Sequence, residues 1–123
     1  MRHLFLISLL SMSSVVWAAQ DWKVVAETTS CDEKVQILAK EGEKYVLAVQ
    51  GDTKTKLVAK DGSAFHENSM KTTEFETDLK SDDFKQGNPT YTFIQPSYVE
   101  GNPPKVDVYA SGVKKRCKME HTR

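Results

Sequence analysis

Histidine and cysteine are scarce in this 123-residue chain, three of the first and two of the second, and their scarcity removes several kinds of chemistry at once. A zinc or other transition-metal site gathers three or four imidazole, thiolate or carboxylate ligands. With His3 inside an N-terminal leader, only His66 and His121 remain, and His121 falls in a tail expected to fray. No metal and no cofactor are expected. Cys31 and Cys117 lie too far apart for a redox C-x-x-C pair. There is no glycine-rich loop of the phosphate-cradling kind, no internal repeat and no low-complexity stretch. Charge of one sign is also missing: 17 basic residues balance 17 acidic ones, and lysines are interleaved with acids. That distribution excludes the basic face of a nucleic-acid binder. The one basic run, Lys114, Lys115, Arg116 and Lys118, suits a solvated strand edge guarded by lysine.

What is present begins with the leader. Arg2 and His3 precede an apolar run over residues 4–10, serines follow, and Ala18 and Ala19 supply the small residues of a cleavage site. The apolar run falls short of the roughly 20 residues that a spanning helix needs. Residues 1–19 are therefore expected to be a signal peptide cut after Ala18 or Ala19, which places the mature chain in the periplasm or outside the cell. No later segment is apolar enough to span a bilayer. Residues 20–123 make one domain, and loss of Arg2 leaves it near minus one in charge. A domain this small buries a limited share of its surface, and export permits a covalent staple. A Cys31–Cys117 disulfide joining the N- and C-terminal regions would be worth roughly 4 to 5 kcal/mol in chain entropy.

Short segments alternate apolar and polar residues, and helical spacing nowhere persists. Strands are expected over residues 22–28, 35–39, 45–49, 53–60, 72–79, 91–94, 106–110 and 113–119. Val35, Ile37 and Ala39 share one side of their segment, as do Tyr45, Leu47 and Val49 of the next. Glu41-Gly42, Gly51-Asp52, Asp61-Gly62 and Ser111-Gly112 mark turns. Asp82 and Asp83 suit the start of a single helical turn over residues 81–85. Residues 95–105 hold three of the four prolines and Gly101-Asn102, which rules out a central strand and makes a long connection. The set predicts an all-β fold, a small antiparallel β-barrel of about eight strands.

No catalytic set emerges, and the chain is expected not to be an enzyme. Asp61, Ser63 and His66 are close in sequence, yet one turn cannot supply the buried acid and separate oxyanion site of a hydrolytic triad. Pairs such as Glu74 with Glu76, or Asp82 with Asp83, are ordinary on solvated surfaces. Aromatic residues are more informative. Tyr91, Phe93 and Tyr109 alternate within strands and are expected in the core. Tyr98, in the proline-rich connection, and Phe65, just after a turn, are candidate interface anchors.

The order of these features resembles the periplasmic and membrane-bound inhibitors of c-type lysozyme. The resemblance rests on the leader, Cys31-Asp32 in the first strand, strands entering a glycine loop, a Tyr-x-Phe strand at Tyr91 to Phe93, and Val113 leading to Cys117. It implies an eight-stranded antiparallel barrel with one disulfide joining strands near its two ends. It also implies two contact loops that enter the lysozyme cleft. The first corresponds to Asp61, Gly62, Ser63, Ala64 and Phe65, with aspartate where the family has serine and phenylalanine where it has tyrosine. The second corresponds to Glu100-Gly101 within a longer loop that also contains Tyr98, with Lys105 the nearest lysine. Residues 67–88 are longer than the family pattern. The function implied is a secreted or periplasmic, non-enzymatic binding protein that occludes the cleft of a c-type lysozyme. Two other readings fit the same composition: a small-ligand barrel with Tyr45, Tyr91, Phe93 and Tyr109 lining a cavity, and an envelope structural or interaction protein.

Overall fold

A computed structural model describes residues 22–122; the expected leader lies outside the described residues. Eight strands run in chain order as β1 (Lys23–Thr28), β2 (Gln36–Ala39), β3 (Tyr45–Gln50), β4 (Thr53–Ala59), β5 (Thr73–Thr77), β6 (Thr90–Gln95), β7 (Lys105–Ala110) and β8 (Val113–His121). Each pairs antiparallel with the next, and β8 pairs with β1 to close the barrel. The expected all-β class, strand number and Cys31–Cys117 bridge are all present. Turn chemistry explains the hairpins. Gly62, for example, sits at φ +78°, a conformation open to glycine and strained for other residues.

The interior is filled. Ile37, Val46, Ala48, Leu57, Phe75, Tyr91, Phe93, Val106, Cys117 and Met119 are buried, and the Phe75 and Phe93 rings stack at 6.1 Å. An eight-stranded barrel is just wide enough for side chains to fill it. The Tyr91 hydroxyl donates to Gln50 Oε1, and burial pushes its phenol up to about 12. The reading with four aromatic residues around a central cavity is thereby overturned: Tyr91 and Phe93 are packed, while Tyr45 and Tyr109 face out.

Several expectations need correction. On β3 the core face is Val46 and Ala48, whereas Tyr45, Leu47 and Val49 point outward and are half-buried. The strand Tyr45–Gln50 is apolar at five consecutive positions, so alternation cannot choose its face; interior volume does. Phe75, Tyr91 and Phe93 take most of that volume and leave room for small residues. The bulky outward side chains shelter one another instead, through the Leu38–Leu47 and Tyr45–Val58 pairs and a Trp22–Tyr45 ring contact at 5.1 Å. Tyr109 is 40 % exposed, its ring lying under the Lys114 ammonium. Residues 81–84 form one of three successive tight turns, closed by Ser81 N to Asp78 O, Phe84 N to Ser81 O and Asn88 N to Lys85 O, each 3.1 Å, and not a helical turn. His121 does not fray: it ends β8 opposite Ala26, and Thr122 N donates to Val25 O. Cys31 lies just after β1, in the connection to β2, not within the strand.

Antiparallel succession sorts the connections by end. Residues 29–35, 51–52, 78–89 and 111–112 lie at one end of the barrel. Residues 40–44, 60–72 and 96–104 lie at the other, with the start of β1 and the finish of β8.

Candidate functional site

The two loops singled out in the sequence, 61–65 and 95–105, thus share an end, and hydrogen bonds tie residues 95–98 to residues 66–72, just beyond the first of them. Tyr98 N donates to Ser69 O at 2.8 Å, and Ser97 N to Thr72 Oγ1 at 3.3 Å. Gln95 Nε2 reaches His66 O at 2.9 Å. The β2–β3 turn completes the group: Gly42 N donates to Phe65 O and Phe65 N to Glu43 O, at 2.7 and 2.8 Å. Glu41 clamps the same contact, one carboxylate oxygen 2.8 Å from His66 Nδ1 and the other accepting from Glu67 N at 2.9 Å.

The predicted residues take different places within this surface. Asp61, Gly62 and Ser63 lie at the tip of the 60–72 segment, where Asp61 Oδ1 accepts from Ser63 N at 3.0 Å in an Asx turn. Lys71 closes over them, 2.8 Å from Asp61 Oδ2 and 2.7 Å from Ser63 Oγ. Lys44 Nζ donates to Gly62 O at 3.2 Å. Glu100, Gly101 and Tyr98 are exposed, Tyr98 by 64 %. Phe65 is not: it is 2 % exposed and its ring packs 6.4 Å from that of Phe75. A loop whose backbone is bonded to a neighbouring turn on both sides points its one large apolar side chain inward, so Phe65 is core and not a contact residue. Lys105 also leaves the loop, since it opens β7 and pairs with Ile94 and Lys118.

Three contributors were not foreseen. Met70 and Val99 are 71 % and 66 % exposed and each follows one partner of the Ser69–Tyr98 bond, so with Tyr98 they place three exposed apolar side chains where these two loops meet. Lys71 has no local signal in the sequence, because its partner Asp61 is ten residues away. A scan for exposed apolar side chains within the loops at this end would have found Met70 and Val99.

Asp61 serves Ser63 N and Lys71, while His66 turns to Glu41, so Asp61, Ser63 and His66 are not arranged as a triad. Lys71 Nζ bridges Asp61 Oδ2 and Ser63 Oγ. The Lys71 and Ser63 hydrogen bonds hold the Asp61 carboxyl well below the usual carboxylate range. The Glu67 N–H, then His66, holds Glu41 below it too.

Both shifts carry a sign. A carboxyl whose pKa is depressed on folding contributes stability that is fully present above its unfolded value, about 4 for Asp and Glu, and lost as pH falls through the folded value. Acidification below pH 4 is therefore expected to loosen the 40–44 and 60–72 loops before the barrel. Hydrogen exchange at the Glu67 and Ser63 amides should accelerate relative to Phe75 and Phe93. Because both carboxylates are largely exposed, the global transition should shift little.

At the same end lies a cavity of about 240 Å³, walled by Val25, Phe65, Phe93, Gln95, Tyr98 and Thr122 among others. No protein-family model matches the chain, and searches of curated proteins and of solved structures return no match.

Proposed function

We propose that this chain is an exported, non-enzymatic binding protein that uses the three-loop end of its barrel to engage a protein partner. The observation that carries the reading is the convergence of the 60–72 and 96–104 loops on one end, bonded to each other and presenting Met70, Tyr98 and Val99 beside a polar tip. Exposed apolar residues including a tyrosine, rimmed by polar groups, have the composition of an interface core. The disulfide is consistent with export to an oxidising compartment.

The partner proposed is a c-type lysozyme, whose cleft the loops would occlude. Asp61, in the place where the resemblance implies serine, would repel an acidic cleft if it stood alone. Lys71 at 2.8 Å offsets that charge, and Ser63 stands beside the same lysine. Excess mature domain is expected to slow lysis of a bacterial suspension by c-type lysozyme. Tyr98→Ala should weaken inhibition at least tenfold, the scale of a hot-spot residue, without lowering thermal stability. Unchanged lysis at saturating protein removes lysozyme as the partner; unchanged inhibition by the Tyr98 variant removes this end as the contact surface.

A further inference from the structure

We propose that the outer face of the β7–β8 hairpin docks the domain side-on to a membrane surface rich in anionic lipid, with its lysines on the headgroups and Tyr109 and Val113 at the interface. The proposal does not rest on the protein-partner reading.

Charge is concentrated here. Residues 105–118 hold five cations, Lys105, Lys114, Lys115, Arg116 and Lys118, and one acid, Asp107. Strand register gathers most of them on one face. Lys105 lies opposite Lys118, Asp107 opposite Arg116 and Tyr109 opposite Lys114, while Val106, Val108 and Cys117, which alternate with them, are buried in the barrel. Arg116 covers Asp107 with bonds of 2.8 and 3.0 Å, and Lys115 is 2.9 Å from Glu33. Lys105, Lys114 and Lys118 have no carboxylate partner among the described residues. The Glu27–Glu120 pair bounds the face on its β1 side.

Folding does not account for all of this charge. Lysine guards exposed strand edges, and residues 113–116 lie on one, because β1 pairs with β8 only over residues 119–121. Lys105 and Lys118 do not. Lys105 sits between Ile94 and Lys118, and the Lys118 main chain is bonded to Thr29 and Ser30. Like charges directly opposite each other on a sheet are destabilising. An anion laid over the pair relieves that repulsion.

The apolar groups favour a lipid surface over a soluble polyanion. Ser111 and Gly112, at φ 53° and 76°, make a tight two-residue turn that presents Tyr109 and Val113, 40 % and 56 % exposed. Tyrosine favours the boundary between lipid headgroups and acyl chains. A solvated polyanion gains nothing from a protruding valine. Basic residues beside exposed apolar ones bind an anionic bilayer both by charge and by burial.

The test is flotation of the mature domain with mixed phosphatidylglycerol–phosphatidylcholine vesicles, with pure phosphatidylcholine vesicles and soluble dextran sulfate in parallel. Binding to the mixed vesicles and not to the pure ones is expected, weakening as salt rises. Lys105→Gln with Lys118→Gln should weaken it about 25-fold, about fivefold for each basic residue near an anionic surface. Thermal stability should not fall, since a repulsion is removed. Lys54→Gln with Lys85→Gln removes the same charge away from the hairpin and should leave binding as in the parent. Tyr109→Ser with Val113→Ser should weaken vesicle binding with all the lysines in place. The proposal is overturned if the mixed vesicles do not bind, if the pure ones bind equally well, if the two lysine pairs matter equally, or if the Tyr109 and Val113 variant binds as the parent does. Binding to dextran sulfate without binding to vesicles would assign the face to a soluble polyanion and overturn it too.

Discussion

Replacing Cys31 and Cys117 together by alanine is expected to lower the melting temperature by roughly 20–30 °C, the largest single effect in this molecule. The bridge spans 86 residues of sequence, so cutting it frees almost the whole described chain in the unfolded state. Chain-entropy arithmetic puts the cost at about 4.5 kcal/mol, and small domains as a class hold only about 5–15 kcal/mol in all. The position of the bridge adds a local consequence. Cys31 sits in the connection after β1, and Cys117 is buried on β8, beside the seam where β1 meets β8 through Ala26–His121, Glu27–Glu120 and Thr28–Met119. Thr29 N to Lys118 O and Lys118 N to Ser30 Oγ reinforce the same junction. Loss of the disulfide should therefore open the barrel at this seam first. Calorimetry of the double variant and of reduced parent protein checks the magnitude, and hydrogen exchange at Met119 and Thr28 checks the place. A fall of only a few degrees would show that the seam holds without its staple.

The bridge was legible because its ingredients are compositional: two cysteines, a leader from which export is expected, and a small domain. The strands were legible because glycine-bearing turns separate alternating segments; that the two candidate loops share an end emerged only with the pairing of the strands. Which way β3 faces was not legible. Tyr45, Leu47 and Val49 make as good a core face as Val46 and Ala48 until the space taken by Phe75, Tyr91 and Phe93 is known, and that is a property of three other strands. Long-range pairings were hidden for the same reason. Lys71 reaches back to Asp61, and Glu41 reaches forward 25 residues to His66, through contacts that exist only once the barrel has brought the loops together. The loop aromatics divide on this point too. Tyr98, within a turn that starts at Ser97, stays exposed, while Phe65, bonded on both sides to the β2–β3 turn, is drawn inside.

That division yields the second large effect. Phe65→Ala is expected to cost about 3 kcal/mol, at the lower end of the range for a buried phenylalanine because a loop can partly collapse into the space. For a domain of this size, that corresponds to a fall in melting temperature of roughly 12–24 °C. Phe65→Leu, which keeps most of the volume, should cost less than about 1.5 kcal/mol. The ring lies at the top of a stack that continues through Phe75 to Phe93, with centroid spacings of 6.4 and 6.1 Å. Its removal should thus unfasten the 60–72 segment from the core and, with it, the surface that Met70 and Lys71 build. Denaturant titration of both variants measures the cost. Tyr98→Ala provides the contrast, since a side chain 64 % exposed should change stability by no more than about 0.5 kcal/mol while altering recognition. If Phe65 were an interface anchor, as its place after a turn first suggests, the pattern would reverse: Phe65→Ala would leave the transition unmoved and weaken only partner binding. Full burial and two main-chain bonds to residues 42 and 43 assign it instead to the scaffold that holds the three-loop end in place.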